Sequence, residues 1–254
     1  MVHRNPKVLV IAGDGINCEL ETAQAFQKAK FDVELAHLND LILRQVKLDQ
    51  LSSEYSALAL PGGFSFGDDL SSGKVLALKL QHRLRWDLPT YVSRGGLVLG
   101  ICNGFQALIR LGVFGSEVSI THNLNGKFMN AWTQVMPHGT RSLWLSGVGD
   151  MDLPIRHGEG RIVIAPSRKS ETLEKMDRLG MTCLKYRVNP NGSQESLAGL
   201  CDPSGRILGL MPHPEGFIRW TAHPEWTAQP GRASSPGQGL AIFENAYREA
   251  LKSL

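Results

Sequence analysis

The sequence predicts an α/β fold with a largely parallel central sheet flanked by helices, and three observations predict it. Apolar runs at 7–12, 57–60, 97–99 and 207–211 are strand-sized, and each stops close to a glycine or proline turn. A helical pattern at 18–30 separates the first run from a second strand-like segment at 31–37, which is the order of a βαβ unit. The run at 97–99 leads into Gly100-Ile101-Cys102-Asn103-Gly104-Phe105-Gln106, where a strand passes directly into a helical pattern. Open parallel sheets hold their ligands beyond the carboxyl ends of the strands, so the residues that follow these runs are the functional candidates.

Taken in order, 7–12 reads as a buried strand, 13–17 as a turn, 18–30 as a helix and 31–37 as a second strand. The segment from about 115 to 159 lacks a helical period and is expected to hold loops and antiparallel strands, with a β-like run at 142–148. Then come a strand at 161–165, a helix at 170–179 and a strand at 207–211 ahead of Pro212. An irregular tail loop at about 216–239 carries Pro, Gly and Ser. The terminal helix should present Leu240, Phe243, Tyr247, Ala250, Leu251 and Leu254 on one face. No linker interrupts 1–254, so a single domain is expected.

Composition narrows the function. Among 254 residues, 27 basic and 24 acidic side chains are spread along the chain, and no Lys/Arg cluster forms an arm for nucleic acid. The four cysteines, Cys18, Cys102, Cys183 and Cys201, have no C-x-x-C spacing, which argues against a zinc site or redox dithiol and for a reducing cytoplasm. The apolar run nearest the N-terminus is too short for a secretory core or a membrane span. A cytoplasmic protein bound to neither membrane nor nucleic acid is expected.

The strand–turn–helix around Cys102 has the pattern of a nucleophile elbow with cysteine in the nucleophile position. Gly100 and Gly104 permit the tight turn, and the positive end of the following helix favours a thiolate. An isolated cysteine is ordinarily an inert core residue; the glycine bracket argues otherwise here. A cysteine nucleophile needs a base held by an orienting group. Three His-x-Glu pairs compete: His157/Glu159, His213/Glu215 and His223/Glu225. The pair His213/Glu215 directly follows a convincing strand and is taken as base and orienter, while the other two are expected to make surface hydrogen bonds. Pro61-Gly62-Gly63-Phe64-Ser65 is the candidate oxyanion hole, a plain tight turn being the alternative. The stretch 67–74 fails as a phosphate loop, because its glycines are misspaced and Val75 replaces the hydroxyl residue. Asn191-Gly192-Ser193 reads as a turn, and no metal motif is found.

Together with Phe66-Gly67-Asp68, Met211-Pro212-His213-Pro214-Glu215, Leu153-Pro154-Ile155-Arg156-His157-Gly158-Glu159-Gly160 and Asn189-Pro190-Asn191-Gly192-Ser193, these segments resemble class I glutamine amidotransferases. Within them, the chain is similar to the glutaminase components of phosphoribosylformylglycinamidine synthases. It departs from their pattern at Gly216, where arginine is common, and in the long tail containing Trp220 and His223-Pro224-Glu225-Trp226.

The resemblance implies a flavodoxin-like fold and hydrolysis of glutamine through a Cys102 thioester. His213 and Glu215 would complete the triad, and the N–H groups of Gly63 and Asn103 would hold the oxyanion. Gly62, Phe64, Gln106, Asn123 and Phe128 would contact glutamine. Ammonia would pass to a large synthetase subunit, with a small accessory subunit as a further candidate partner. ATP and magnesium are expected on the synthetase, with no cofactor in this chain. Supply of ammonia to a different synthetase, a non-catalytic glutamine-sensing module and a cysteine hydrolase of the related elbow-bearing superfamily are the competing readings.

Overall fold

A computed structural model describes residues 5–139 and 141–253. In chain order the elements are β1 (Lys7–Ala12), α1 (Glu19–Lys28), β2 (Asp32–His37), α2 (Leu38–Leu43), α3 (Leu48–Glu54), β3 (Ala57–Leu60), α4 (Lys74–Leu78), α5 (Leu88–Ser93), β4 (Leu97–Ile101) and α6 (Asn103–Arg110). They continue as β5 (Val118–His122), β6 (Met129–Pro137), β7 (Met151–His157), β8 (Glu159–Ile164), α7 (Lys169–Arg178), β9 (Leu184–Tyr186), β10 (Leu197–Cys201), β11 (Ile207–Leu210) and α8 (Leu240–Ala250).

The main sheet has the order β2-β1-β3-β4-β11-β10-β9-β6-β7. Its first five strands are mutually parallel. Numbered among themselves they run 2-1-3-4-5, the flavodoxin-like order, whose switch point lies between β1 and β3. β3, β4 and β11 are buried at every position, and β1 at its four central ones. These unbroken Val/Ile/Leu/Ala stretches suit strands covered on both faces. β10, β9, β6 and β7 extend the sheet with antiparallel pairings, and β5 and β8 form a separate two-stranded ribbon. The antiparallel character expected of the middle segment is therefore present. Among the described residues, no helix is long and apolar enough to cross a membrane.

Two helices close one face through aromatic edges. Phe26 on α1 meets Phe243 on α8 at 5.0 Å, Phe31 at 5.1 Å and Trp144 at 6.4 Å, all edge-to-face. Such pairs add about 0.5–1.5 kcal/mol each beyond their burial. The buried face of α8 comprises Leu240, Ile242, Phe243, Asn245, Ala246 and Ala250, which corrects the expected stripe. Leu251 is 44% exposed, because the helix tightens to a 3₁₀ turn at 251–253 and the 3.6-residue period breaks there. Leu254 lies outside the described residues.

The run at 142–148 is not a strand either. Leu143–Leu145 is a 3₁₀ turn, and carbonyls in and just after it find side-chain donors instead of a neighbouring strand. Asn245 Nδ2 donates to the carbonyls of Trp144 (2.8 Å) and Ser146 (2.9 Å), and Trp144 Nε1 donates to the Arg206 carbonyl (2.9 Å). Tertiary hydrogen bonds thus override a local β-like alternation.

The crossing of α6 over β3 allows no side chain at Gly104: a Cβ there would sit 1.9 Å from the Leu60 carbonyl oxygen. We expect Gly104→Ala to lower unfolding free energy by about 2–5 kcal/mol, because backbone must move to admit the methyl. Urea denaturation followed by circular dichroism measures this, and an unchanged midpoint would contradict the close approach.

Candidate active site

The site grows from neighbouring strand ends. β4 and β11 are parallel partners with Ile101 opposite Leu210, and the next rung is the Cys102 N–H donating to the Leu210 carbonyl at 2.8 Å. Cys102 then turns through φ 48°, ψ −102°, and its carbonyl accepts from Gln106 N at 2.9 Å as α6 begins. A non-glycine residue held in that conformation stores about 1–3 kcal/mol of strain. The turn keeps Cys102 almost wholly buried, and its Sγ lies 3.6 Å from the Arg156 carbonyl oxygen.

β11 delivers His213 to the same edge. The His213 N–H donates to the Pro154 carbonyl of β7 at 2.8 Å, and Pro214 opens a 3₁₀ turn that brings Glu215 back beneath the ring. Nδ1 and Glu215 Oε1 are 2.6 Å apart, with both side chains at most 3% exposed. Burial by itself pushes the imidazole pKa down, but the Glu215 carboxylate, then Cys102, carry it well above its ordinary value. That electrostatic setting suits a ring that holds a proton during a reaction.

Gly62 marks where these groups converge. A Cβ built there would lie 2.7 Å from His213 Cε1 and 3.4 Å from both Cys102 Cβ and Cys18 Sγ. Its neighbour Gly63 has φ +144°, which a side chain would strain, and its N–H donates to no backbone carbonyl among the described residues. The loop is pinned to the turn after β1: Phe64 N donates to Gly15 O (2.7 Å), while Asn17 and Cys18 N–H groups donate to Gly62 O (3.3 and 3.2 Å). Asn103 opens α6, where an N–H has no intrahelical acceptor. Two backbone donors thus accompany the thiol and the imidazole.

The remaining residues expected at glutamine divide into two groups. Phe64 and Phe128 stand exposed at the mouth of a cleft of about 340 Å³, with ring centroids 6.1 Å apart. Gly63 and His213 line the same cleft.

Gln106 and Asn123 are tied by hydrogen bonds within the protein. Gln106 Oε1 accepts from Asn103 Nδ2 (3.0 Å), and its Nε2 donates to the Glu159 carbonyl. Asn123 Nδ2 donates to the Lys127 (2.9 Å) and His157 (2.8 Å) carbonyls, while its Oδ1 accepts from His157 Nδ1 (2.9 Å) and Gly160 N (3.2 Å). All four hydrogen-bonding positions of Asn123 are therefore spent inside the protein.

The other two His-x-Glu pairs are also not surface pairs. His157 is 2% exposed, and its Glu159 turns away toward Arg110, 3.9 Å distant. Burial, then the charge of His213, push the His157 pKa down to about 4. His223 is held by Asp152 at 2.9 Å and packed among Trp132, Phe217 and Trp220, while Glu225 offers it a backbone N–H. The tail is thus an ordered series of 3₁₀ turns anchored by an aromatic cluster.

Sequence reasoning missed Cys18. It follows the turn after β1, the same carboxyl edge that carries Gly62 and Cys102, and this topology was the available signal. Cys18, His213 and Glu215 each place one donor atom within 4.8 Å of the others, the one group of that kind among the described residues. One Glu215 oxygen is already committed to Nδ1.

A flavodoxin-like sheet with cysteine, histidine and glutamate at adjoining strand ends defines the class: the chain belongs to the CobB/CobQ-like glutamine amidotransferase domain family, whose model matches residues 5–248. It is 38% identical over 241 residues to a Methanococcus maripaludis protein named phosphoribosylformylglycinamidine synthase subunit PurQ, covering 89% of this chain and 87% of that one. The Dehalococcoides mccartyi protein of the same name is 37% identical over 255 residues, 96% of this chain and 97% of the relative. Among solved structures, a chain of the Thermotoga maritima PurLQS superposes with a TM-score of 0.75 at 27% identity, covering 96% of this chain and 99% of that chain.

Two measurements check the environments. In the native protein Cys102 and Cys18 should react with a small alkylating agent while Cys183 and Cys201 stay unmodified until unfolding, as mass spectrometry would read. Both of the latter are fully buried, and burial, then Cys201, push the Cys183 thiol well above its ordinary range. In an NMR titration, the His157 ring should stay neutral down to about pH 4. The unfolded chain protonates this histidine below about pH 6.5, so its contribution to stability falls as pH drops from there to about 4, by about 3 kcal/mol in all. A His157 titration near pH 6.5 would refute the buried, neutral ring.

Proposed function

We infer that this chain is the glutaminase subunit of a phosphoribosylformylglycinamidine synthase. The observation that carries the reading is the convergence of Cys102, His213 and Glu215 beside the backbone N–H groups of Gly63 and Asn103, which donate to no backbone carbonyl among the described residues. The names of the relatives supply the assembly, and the domain family supplies the reaction class.

His213 takes the thiol proton of Cys102, and the sulfur attacks the side-chain amide carbon of glutamine. Gly63 and Asn103 donate to the oxygen that becomes negative, and backbone donors already in place need no reorganisation. His213 then gives its proton to the departing nitrogen, ammonia leaves, and a glutamyl thioester remains on Cys102. Water, losing a proton to His213, cleaves the thioester to release glutamate and restore the thiol. Glu215 fixes the ring through Nδ1 throughout and stabilises its charged form. Gly62 leaves space for the reacting groups, Phe64 and Phe128 wall the cleft, and Gln106 and Asn123 act indirectly by tying α6 and the 123–127 loop to residues 157–160.

Ammonia passes to a large synthetase subunit, which converts formylglycinamide ribonucleotide to formylglycinamidine ribonucleotide. ATP and magnesium belong to that partner, a small accessory subunit completes the assembly, and the work takes place in the cytoplasm.

Cys102→Ser should abolish ammonia release from glutamine, and His213→Ala should lower it by a factor on the order of 10³ or more. His223→Ala should retain turnover while lowering the melting temperature, since that ring packs in the tail. Equal inactivation of a folded His223→Ala would overturn the choice of base. Reconstituted with its synthetase, Cys102→Ala should fail with glutamine yet form the amidine when ammonium is supplied. Failure of ammonium to rescue an intact complex would contradict the division of labour.

A further inference from the structure

An oxyanion hole works only if its donors stand a fixed distance apart, and here they come from different elements. Gly63 lies on the loop after β3, which is pinned to the turn after β1: besides the bonds of Phe64, Asn17 and Cys18, Phe66 N donates to Asp14 O at 2.8 Å. Asn103 opens α6, whose approach is pinned to β11. The last paired rung of β3 and β4 is Leu60 opposite Gly100, so both donors lie beyond the sheet. Past that rung, among the described residues, every hydrogen bond between 61–69 and 102–106 passes through one side chain, that of Asn103. Its Oδ1 accepts from Ser65 N (3.3 Å) and from Ser65 Oγ, while its Nδ2 donates to Asp68 Oδ1 (3.0 Å) and Gln106 Oε1 (3.0 Å). All four positions of a wholly buried amide are thereby used. Asp68 is itself held by Ser72 Oγ (2.9 Å) and Gly73 N (3.4 Å).

Resting on the glutaminase reading above, we propose that Ser65 and Asp68 are positioning residues for the reaction: gripping the Asn103 side chain from the loop, they set the spacing of the Gly63 and Asn103 N–H groups. Asn103 thus has two separate tasks, its backbone donating to the oxyanion and its side chain holding the gap. Phe66, Gly67 and Asp68 follow one another at φ 56°, 68° and 54°, a left-handed path that favours glycine at each step. Phe66 and Asp68 stay in such a path only where surrounding contacts over-determine it, and the grip at Ser65 and Asp68 holds it at both ends. A general need to bury this loop would be met by apolar packing; hydrogen bonds to an amide fix distance and direction as well. The donors must end about 2.7–3.1 Å from the developing oxyanion, so a small displacement weakens binding of the transition state and leaves ground-state binding nearly alone.

The test separates oxyanion chemistry from the nucleophile in the complex with the synthetase. Hydrolysis of glutamine makes an oxyanion; alkylation of Cys102 by iodoacetamide, a displacement at saturated carbon, makes none. Removing a whole oxyanion donor costs about 10²–10³-fold in kcat, so misplacing one by Ser65→Ala or Asp68→Ala should cost about 10- to 100-fold, with KM within about threefold of wild type. The alkylation rate should stay within about twofold of wild type, since that reaction asks nothing of the hole. Asp68→Asn keeps one acceptor oxygen for Asn103 and tolerates the left-handed backbone, so it should recover most of kcat. The double variant Ser65→Ala/Asp68→Ala should lose less than the product of the single losses, because both act through one side chain. Synthesis from added ammonium should stay at the wild-type level in every variant, which reports that folding and assembly are intact.

Unchanged kcat in a folded Ser65→Ala would overturn the proposal. That variant deletes one oxygen and keeps the Ser65 N–H bond, so it decides the matter where Asp68→Ala does not fold. A fall in alkylation that matches the fall in kcat would also overturn it, because the network would then serve Cys102 or the fold at large. So would a rise in KM at constant kcat, the signature of a ground-state substrate contact. A wild-type complex that releases no ammonia from glutamine, while iodoacetamide still labels Cys102, would instead overturn the glutaminase reading and leave these residues no oxyanion to serve.

Discussion

The hydrogen bond from Cys102 N–H to the Leu210 carbonyl is the contact on which the site depends. It is the last rung between two parallel strands, and it fixes where β4 stops behaving as a strand. One residue later the chain must enter α6, and the left-handed turn at Cys102 follows from that abrupt change. The same rung sets the height of β11, so His213 arrives three residues beyond Leu210 at the edge that the sulfur occupies. Slipping this register by one residue would reverse which face each side chain meets, and the proposed triad would come apart without loss of any of its members.

His213, the proposed base, has a second attachment of a different kind. Its backbone N–H is held by Pro154 on β7, at the far end of the antiparallel extension, whereas Cys102 belongs wholly to the parallel part. The groups proposed to be catalytic are therefore tied to both the parallel and the antiparallel parts of the sheet, and Asn123, Gln106 and His157 link the intervening turns. Buried amides thereby brace the proposed site. They hold residues 157–160 against α6, and the preceding residue, Arg156, places its carbonyl beside the sulfur.

The parallel half was readable in the sequence because strands buried on both faces are written as unbroken apolar runs with glycine or proline at their ends. The elbow was readable because tight strand-to-helix turns demand glycine at set positions. The segments 38–54 and 74–93 were not read, since α2 to α5 are short and their burial depends on a sheet that local sequence does not reveal. β9 and β10 are short strands, and β9 takes one of its partners, β6, from far upstream in the chain. The three His-x-Glu pairs teach the same lesson at the level of side chains. Two-residue spacing was read as extended backbone, yet His213 and Glu215 meet across the 3₁₀ turn that Pro214 opens, whereas Gly158 separates the strands carrying His157 and Glu159, and turns enclose His223. Spacing proposed three equivalent pairs, and the paths of the backbone distinguished them.

The vacancy at Gly62 bears on how such a site can change over generations. Cys18, Cys102 and His213 close on a point where no atom beyond hydrogen fits, so the scarcest resource in the pocket is empty volume rather than any functional group. A lineage could in principle exchange one orienting acid for another, or rebuild the aromatic mouth, by gradual steps that each retain some turnover. No comparable series leads away from this glycine, because the smallest available step already adds a whole methyl group. A position that contributes no chemistry of its own thus resists drift, and an alanine scan, designed to remove side chains, would read it as an insertion.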